Sequence, residues 1–478
     1  MAEYLRPDVY VQEVTSGEKP IQATSTSTGA FIGLTARGPV NTPVLVTSWT
    51  EFVNKFAGGL ATPFIKEGDL PNAVYGFFQN GGSRAYIVRT ISSGATKAKG
   101  TLNDGELEFH AKDEGAWANG LLTVKVATGV GSTFNVTVKM GNEIVEVFEG
   151  LSNDEEATNY FANVIKQDSN YITFAEEVEG TLVAGDVTFA TGDDAHVSIS
   201  NSDHINGLNA LDYVPSVNLI AMPGLTDQAI ASALVGYCDT RNECFAILDA
   251  PKGSTSTSIK TFREQIGGTN GAVYFPNIKI SDPLGRTTSS LKVCPPSGHI
   301  MGVYARTDAN RGVFKAPAGE EAVVRGAVAL ESQVPFGVVD VLNPLGINCI
   351  VAKPNAGIVL WGARSLPTDP AKRYVSDVRY DLMIRNSIYT GTQWAVFEPN
   401  DETLWEKIDT SLRGFLDEQW KAGALRGATS EEAYYVKCDS ELNTELAIAN
   451  GQVIAEIGYA KQKPAEFVIV KIVQKSAE

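Results

Sequence analysis

Histidine and cysteine, from which most metal centres and nucleophilic sites are built, are scarce in this chain. Its 478 residues include four histidines (His110, His196, His204, His299) and five cysteines (Cys238, Cys244, Cys294, Cys349, Cys438), all dispersed. An odd, scattered set of thiols is expected to stay reduced. The nearest pair, Cys238 and Cys244, has no second pair or neighbouring histidine to complete a zinc site, so no metal is expected. No apolar run approaches the roughly 18 residues needed to cross a bilayer. Met1 to Asp8 carries Glu3, Arg6 and Asp8 with no apolar stretch behind it, which is not the pattern of a secretory signal. The expectation is a soluble protein made in a cytoplasm, with no direct membrane insertion. A phosphate loop of the form Gly-x-x-x-x-Gly-Lys-Ser/Thr is missing, so Asp249, at the end of an apolar run, reads as a loop or capping residue and not as a magnesium ligand. Ser297 and His299 lie close together, but no Gly-x-Ser-x-Gly elbow surrounds Ser297, and Pro295-Pro296-Ser297-Gly298 reads as a turn. No reaction type is supported, and no cofactor is expected.

What the chain does have is an ordinary globular composition, 43% hydrophobic and 20% charged, at a length sufficient for several domains. Its net charge of −17 is unevenly placed. Residues 101–203 hold 19 acids against 4 lysines, while the remaining 375 residues are close to balance at −2. A lobe of −15 repels itself and is tolerable only where water solvates it, which points to an outward insertion. The same balance repels phosphate backbones, so no nucleic acid partner is expected.

Along the chain, Val9 to Gln12 suggests a short strand in an extended arm, followed by the polar tract Ala23 to Thr28. A strand is expected at Ala30 to Leu34, a helix capped by Ser48, a helix ending at Asn80-Gly81-Gly82, and a strand at Ala85 to Arg89. The acidic segment reads as β-rich, with strands at Leu121 to Ala127, Phe134 to Met140 and Ile144 to Phe148 and a helix from Asp154 to Gln167. From Leu208 the pattern becomes α/β. Val217 to Met222, Cys244 to Leu248 and Gly271 to Phe275 read as buried strands, with a helix from Asp227 capped by Thr226 between the first two. Asp369-Pro370 is expected to open a helix to Tyr389. Asn400 is expected to cap another, in which Leu404, Trp405, Ile408, Leu412, Phe415, Leu416 and Trp420 recur at helical spacing. Strands are then expected at Ala433 to Lys437, Val453 to Tyr459 and Phe467 to Val473. The fold class is α+β and α/β, in several domains.

The densest polar constellation is Arg306, Asp308, Arg311 and Lys315, expected in a loop. It suits a structural ion-pair loop or a subunit contact; read as a site, it would take an anionic substrate and make the protein an α/β enzyme. The chain ends carry a different signal. The apolar run from Phe467 to Val473 is an aggregation hazard as a bare edge, so it is expected to pair, either within its own sheet or with another chain.

Several short motifs together resemble the contractile tail sheath proteins of bacteriophages and related tailocins. They include Pro7-Asp8-Val9-Tyr10-Val11-Gln12-Glu13, Arg37-Gly38-Pro39 and Phe77-Phe78-Gln79-Asn80-Gly81-Gly82. Downstream come Gly312-Val313-Phe314-Lys315-Ala316-Pro317, Leu342-Asn343-Pro344-Leu345-Gly346, Gly357-Ile358-Val359-Leu360-Trp361-Gly362 and Phe397-Glu398-Pro399-Asn400. The resemblance covers most of residues 7–95 and 205–475, with Asp8 standing where such proteins usually have Gly. It implies a subunit that stacks with itself as hexameric rings around an inner tail tube protein, bounded by baseplate and tail terminator proteins. It implies contraction that drives the tube through a host envelope. It also implies intersubunit arm strands at Val9, Tyr10, Val11 and Val14, and at Phe467, Val468, Ile469, Val470, Ile472 and Val473. The corresponding domains are an arm at 1–20, a middle domain at 21–100 plus 204–345, the acidic insertion at 101–203, a C-terminal domain at 346–465 and an arm at 466–478. A tailocin, a type VI apparatus or an extracellular injection device would use a sheath of the same kind.

Overall fold

The computed structural model describes residues 20–59, 64–65, 68–281, 291–467 and 469. It comprises two compact units, one of residues 25–380, the other of residues 381 onward together with the segment that ends at Thr24.

The larger unit is organised by an eight-stranded sheet, in the order 357–360, 347–353, 271–275, 245–249, 219–221, 29–33, 85–89, 44–46. Its inner six strands run parallel, and a short antiparallel strand closes each edge. The three apolar runs expected as buried strands are Leu219–Ala221, Phe245–Asp249 and Gly271–Phe275, with every residue buried, as strands covered on both faces require. The helix between the first two is Gln228–Arg241; its cap is Asp227, whose carboxylate accepts from the Ala229 amide, one residue beyond the expected Thr226. The domain boundary expected after residue 345 falls inside this sheet, because Ile347–Cys349 pairs in parallel with Val273–Phe275.

Helices Leu70–Asn80 and Ser297–Arg311 pack backbone to backbone. A Cβ at Gly298 would lie 2.0 Å from the Ala73 carbonyl oxygen, and one at Gly302 would lie 2.5 Å from that of Phe77. Two glycines one turn apart therefore permit this approach. This helix replaces both the turn expected at 295–298 and the loop expected around Arg306.

The acidic segment forms two antiparallel sheets, one ordered 185–188, 122–128, 134–140, 143–151 and the other 97–102, 107–114, 172–173. They share a core that includes Phe109, Trp117, Phe161, Phe174 and Phe189. Its helix is Phe161–Asp168, because residues 154–159 are taken up by turns. Arg89, fully buried at the end of a central strand, fastens this lobe to the sheet. Its guanidinium donates to the carbonyl oxygens of Thr35, Ala36, Gly38 and, at 2.7 Å, Glu114.

In the C-terminal unit, helix Glu402–Lys421 buries Leu404, Trp405, Ile408, Leu412, Phe415 and Leu416 on one face. Its cap is Asp401, not Asn400. The Asn400 side chain instead accepts from Trp405 Nε1 at 2.8 Å and donates to the Gln452 carbonyl at 2.9 Å. The preceding helix starts at Val375, not at Pro370, since the Asp369 carboxylate holds a turn through the Ala371 amide. Its residues from Asp381 onward belong to this unit. Strands Tyr434–Lys437 and Glu456–Tyr459 pair antiparallel as a two-stranded sheet.

Candidate functional site

The charged constellation does not converge on an opening. Arg306 donates to the carbonyls of Asn80 at 2.8 Å and Val323 at 2.6 Å, closing the ends of neighbouring segments. Asp308 faces inward and pairs with Arg379. Arg311 turns to solvent and meets Glu321 at 2.9 Å, and Lys315 Nζ donates to the Ala316 carbonyl. Three of these groups lie on one helix and the fourth just beyond it, and each is tied to a different partner.

Asp249 is indeed a capping residue. It accepts from the Ser297 amide and hydroxyl, both at 2.7 Å, and from the Gly224 amide at 3.3 Å, and so caps the Ser297–Arg311 helix from another strand. Burial pushes its carboxyl up to about 7, against the pull of the Ser297 and Gly224 hydrogen bonds and with a smaller push from Asp69. A carboxylate already occupies the place where a helix N-terminus could receive an anion. His299 is fully buried against Gly76, and neither ring nitrogen has a hydrogen-bond partner among the described residues. Burial holds its pKa down at about 4. Cys238 and Cys244 are buried with their sulfurs 3.5 Å apart. Among the described residues no group of His, Cys, Asp and Glu could hold a metal, and no helix is long and apolar enough to cross a membrane.

The surface with the strongest character lies in the C-terminal unit. A groove of about 1130 Å³ opens beside the two-stranded sheet. Val453, Ala455, Ile457 and Tyr459 line it at the two-residue spacing of one strand face. Ile384 and Ile388 from one helix, with Ile408 and Leu412 from the next, supply the opposite wall. At its rim the Tyr459 hydroxyl and Lys461 ammonium both reach Asp381, at 2.8 and 2.7 Å. Tyr389, Val396 and Phe397 form an exposed apolar lip, and Phe397 holds a left-handed backbone at φ 68° that bulky side chains seldom adopt. Most of the expected arm residues cannot be placed against this groove. Val9, Tyr10, Val11, Val14, Val468, Val470, Ile472 and Val473 lie outside the described residues. Phe467 and Ile469 carry no strand and are 73% and 82% exposed.

The sequence reading missed Arg379 and the groove. Arg379 stands four residues after Val375 and three before Leu382, on the apolar stripe of its helix, and that spacing was the available signal. The groove had none, since its walls come from three separate segments, within 381–400, 408–412 and 451–459.

Two family profiles match the chain: the phage tail sheath protein central domain over residues 198–366, and the phage tail sheath C-terminal domain over residues 367–475. The tail sheath protein of Burkholderia phage BcepMu is 22% identical over 492 aligned residues, covering 97% of this chain and 95% of that one. Among solved structures, the helical sheath of the anti-feeding prophage in its contracted state matches with a TM-score of 0.63 and 22% identity, over 99% of this chain and 100% of that one. The contracted PVC sheath complex of an extracellular contractile injection system matches with a TM-score of 0.64 and 21% identity, over 99% of each chain. At these identities the two structures bear on the fold.

Proposed function

The chain belongs to the phage tail sheath protein family, whose central and C-terminal domains it carries across residues 198–475, and from this we propose that it is the repeating subunit of a contractile tail sheath. Copies stack as hexameric rings around an inner tube protein, between baseplate and tail terminator. Contraction drives the tube through the host envelope and delivers the genome. The protein performs no chemistry in this role; it is assembled in the host cytoplasm and works in the virion tail.

The observation that carries the assembly reading is the open two-stranded sheet beside its apolar groove. A two-stranded sheet is marginal in water, and a neighbour's strand stabilises it by continuing the main-chain ladder. Val9 to Val14 and Phe467 to Val473 are the segments suited to supply such strands. Ladders of this kind survive rotation of subunits about flexible connections, whereas side-chain contacts between rings can be exchanged. The free energy for contraction then lies in the difference between two packings of one subunit, with no bound nucleotide. The polar face of helix Glu402–Lys421 is the surface we assign to the tube, and the acidic lobe faces outward.

Negative-stain electron microscopy of the purified chain, alone and co-expressed with the tube protein, tests this. Striated hollow tubes are expected. Uniform small particles under both conditions would refute the reading.

A further inference from the structure

The chain passes between its two units twice, at Thr24–Ser25 and at Tyr380–Asp381, and a buried ion pair that includes Arg379, next to the second crossing, binds Thr26, next to the first. Arg379 Nη1 donates to Asp308 Oδ1 at 3.0 Å, and its Nη2 donates to Asp308 Oδ2 and, at 2.9 Å, to the Thr26 carbonyl. Asp308 Oδ2 also accepts from Thr26 Oγ1 at 2.7 Å. The two charged side chains are only 3% and 6% exposed. The Tyr304 ring lies under the guanidinium at 4.8 Å, and its hydroxyl is hydrogen-bonded to that of Tyr274 on a central strand. Thr26 is thus held through its backbone by Arg379 and through its side chain by Asp308, the latter on a helix that Tyr304 fixes to the sheet. Upstream, within the C-terminal unit, the same segment follows the Val375–Thr392 helix. The Thr24 amide donates to Ser387 Oγ at 2.9 Å, and Ile21 sits where a Cβ on Gly391 would come within 2.7 Å of it.

We propose that Asp308, Arg379 and Thr26 form the anchor of the N-terminal segment. Tension on residues upstream of Ile21 then enters the subunit at the Ser297–Arg311 helix. It does not reach strand Gly29–Gly33, which begins three residues after Thr26 and which a pull along the chain would otherwise peel from the sheet. An ion pair suits this role because lifting the segment off removes a carbonyl and a hydroxyl from two buried charges that have no water to replace them. The tension itself rests on the reading that the segment engages a neighbouring copy; the anchor does not.

Hydrogen exchange of the full-length protein at dilute concentration tests the anchor. The double variant Asp308→Leu/Arg379→Met removes both charges while keeping apolar volume, and Thr26→Val removes only the hydroxyl. Exchange over residues 20–28 is expected to rise roughly ten-fold in the double variant and less in Thr26→Val, with Gly29–Gly33 protected as in the wild type. Unchanged exchange over 20–28 in both variants overturns the anchor. Should the double variant not fold, Thr26→Val, which leaves the ion pair intact, decides alone. In a second arm, tubes of the variants are expected to fall apart at lower urea than wild-type tubes, and equal resistance overturns the route of tension. Wild-type protein that forms no tubes even with the tube protein present refutes the sheath reading, while the exchange result still judges the anchor.

Discussion

Two β structures outside the acidic lobe, the eight-stranded and the two-stranded sheets, solve the problem of sheet edges in opposite ways. In the larger unit six parallel strands are closed on both sides by short antiparallel strands, Val44–Val46 and Gly357–Leu360, three and four residues long. Short edge strands offer little to a foreign strand. In the C-terminal unit two strands of four residues stand alone among the described residues, next to an apolar groove. One sheet is finished within the subunit. In the proposed sheath the other receives a neighbour's strand, and the difference would then separate residues that serve folding from residues that serve assembly.

The sharpest way to break this comparison is to place the same charge in each sheet. Val273→Asp, in a fully buried central strand, is expected to cost more than about 4 kcal/mol and to yield no folded protein by circular dichroism. Ile457→Asp, in the groove wall, is expected to leave a folded monomer that forms no tubes. Tubes from the second variant would mean that the groove has no part in assembly. Next in size, deletion of residues 1–16 or 466–478 is expected to abolish tubes while shifting the monomer's melting temperature by less than about 3 °C. Normal tubes from either deletion would remove that arm from the scheme.

A smaller effect is set by pH and belongs wholly to the finished sheet. The Asp249 carboxyl is raised from 3.8 to about 7, so its contribution to stability is full below about pH 3.8 and is lost as pH climbs through 7. His204 and His299, both held down at about 4, act in the opposite sense and lose stability as pH falls from 6.5 toward 4. Comparing Asp249→Asn with the wild type isolates the carboxyl. The variant is expected to gain on the wild type between about pH 4 and 8, by up to roughly 4 kcal/mol, as read by chemical denaturation. A pH-independent difference would show that the Ser297 and Gly224 hydrogen bonds offset burial in full. Smallest of all, Arg311→Ala breaks an ion pair whose partners are 52% and 68% exposed, and is expected to change stability by less than about 0.5 kcal/mol.

Local patterns were legible wherever burial followed one period. Ala85 to Arg89 is found at the bounds read from sequence, the helix with Leu404, Ile408 and Phe415 on one face is present, and the acidic lobe folds as β structure. The misreadings share a cause, contact with distant chain. Thr307-Asp308-Ala309-Asn310 has the composition of a loop, yet it is helical because Gly298 and Gly302 lay the same helix against Ala73 and Phe77. Asp249 caps a helix that begins 48 residues later, which no local spacing reveals. The middle domain was expected to end at 345, whereas the sheet continues because Ile347 finds its partner at Val273. The arm residues other than Phe467 and Ile469 lie outside the described residues, so their role rests on sequence and on the open sheet.

Arg89 fastens the acidic lobe almost entirely through backbone oxygens, and only one of them, that of Glu114, comes from the lobe. A carbonyl is the same whatever side chain sits beside it. The Arg89 contact therefore specifies a path for the chain and not its spelling, while the part of the join that reads side chains lies beside it, where Asp113 accepts from the Gly38 amide and Trp117 and Tyr171 face Arg37.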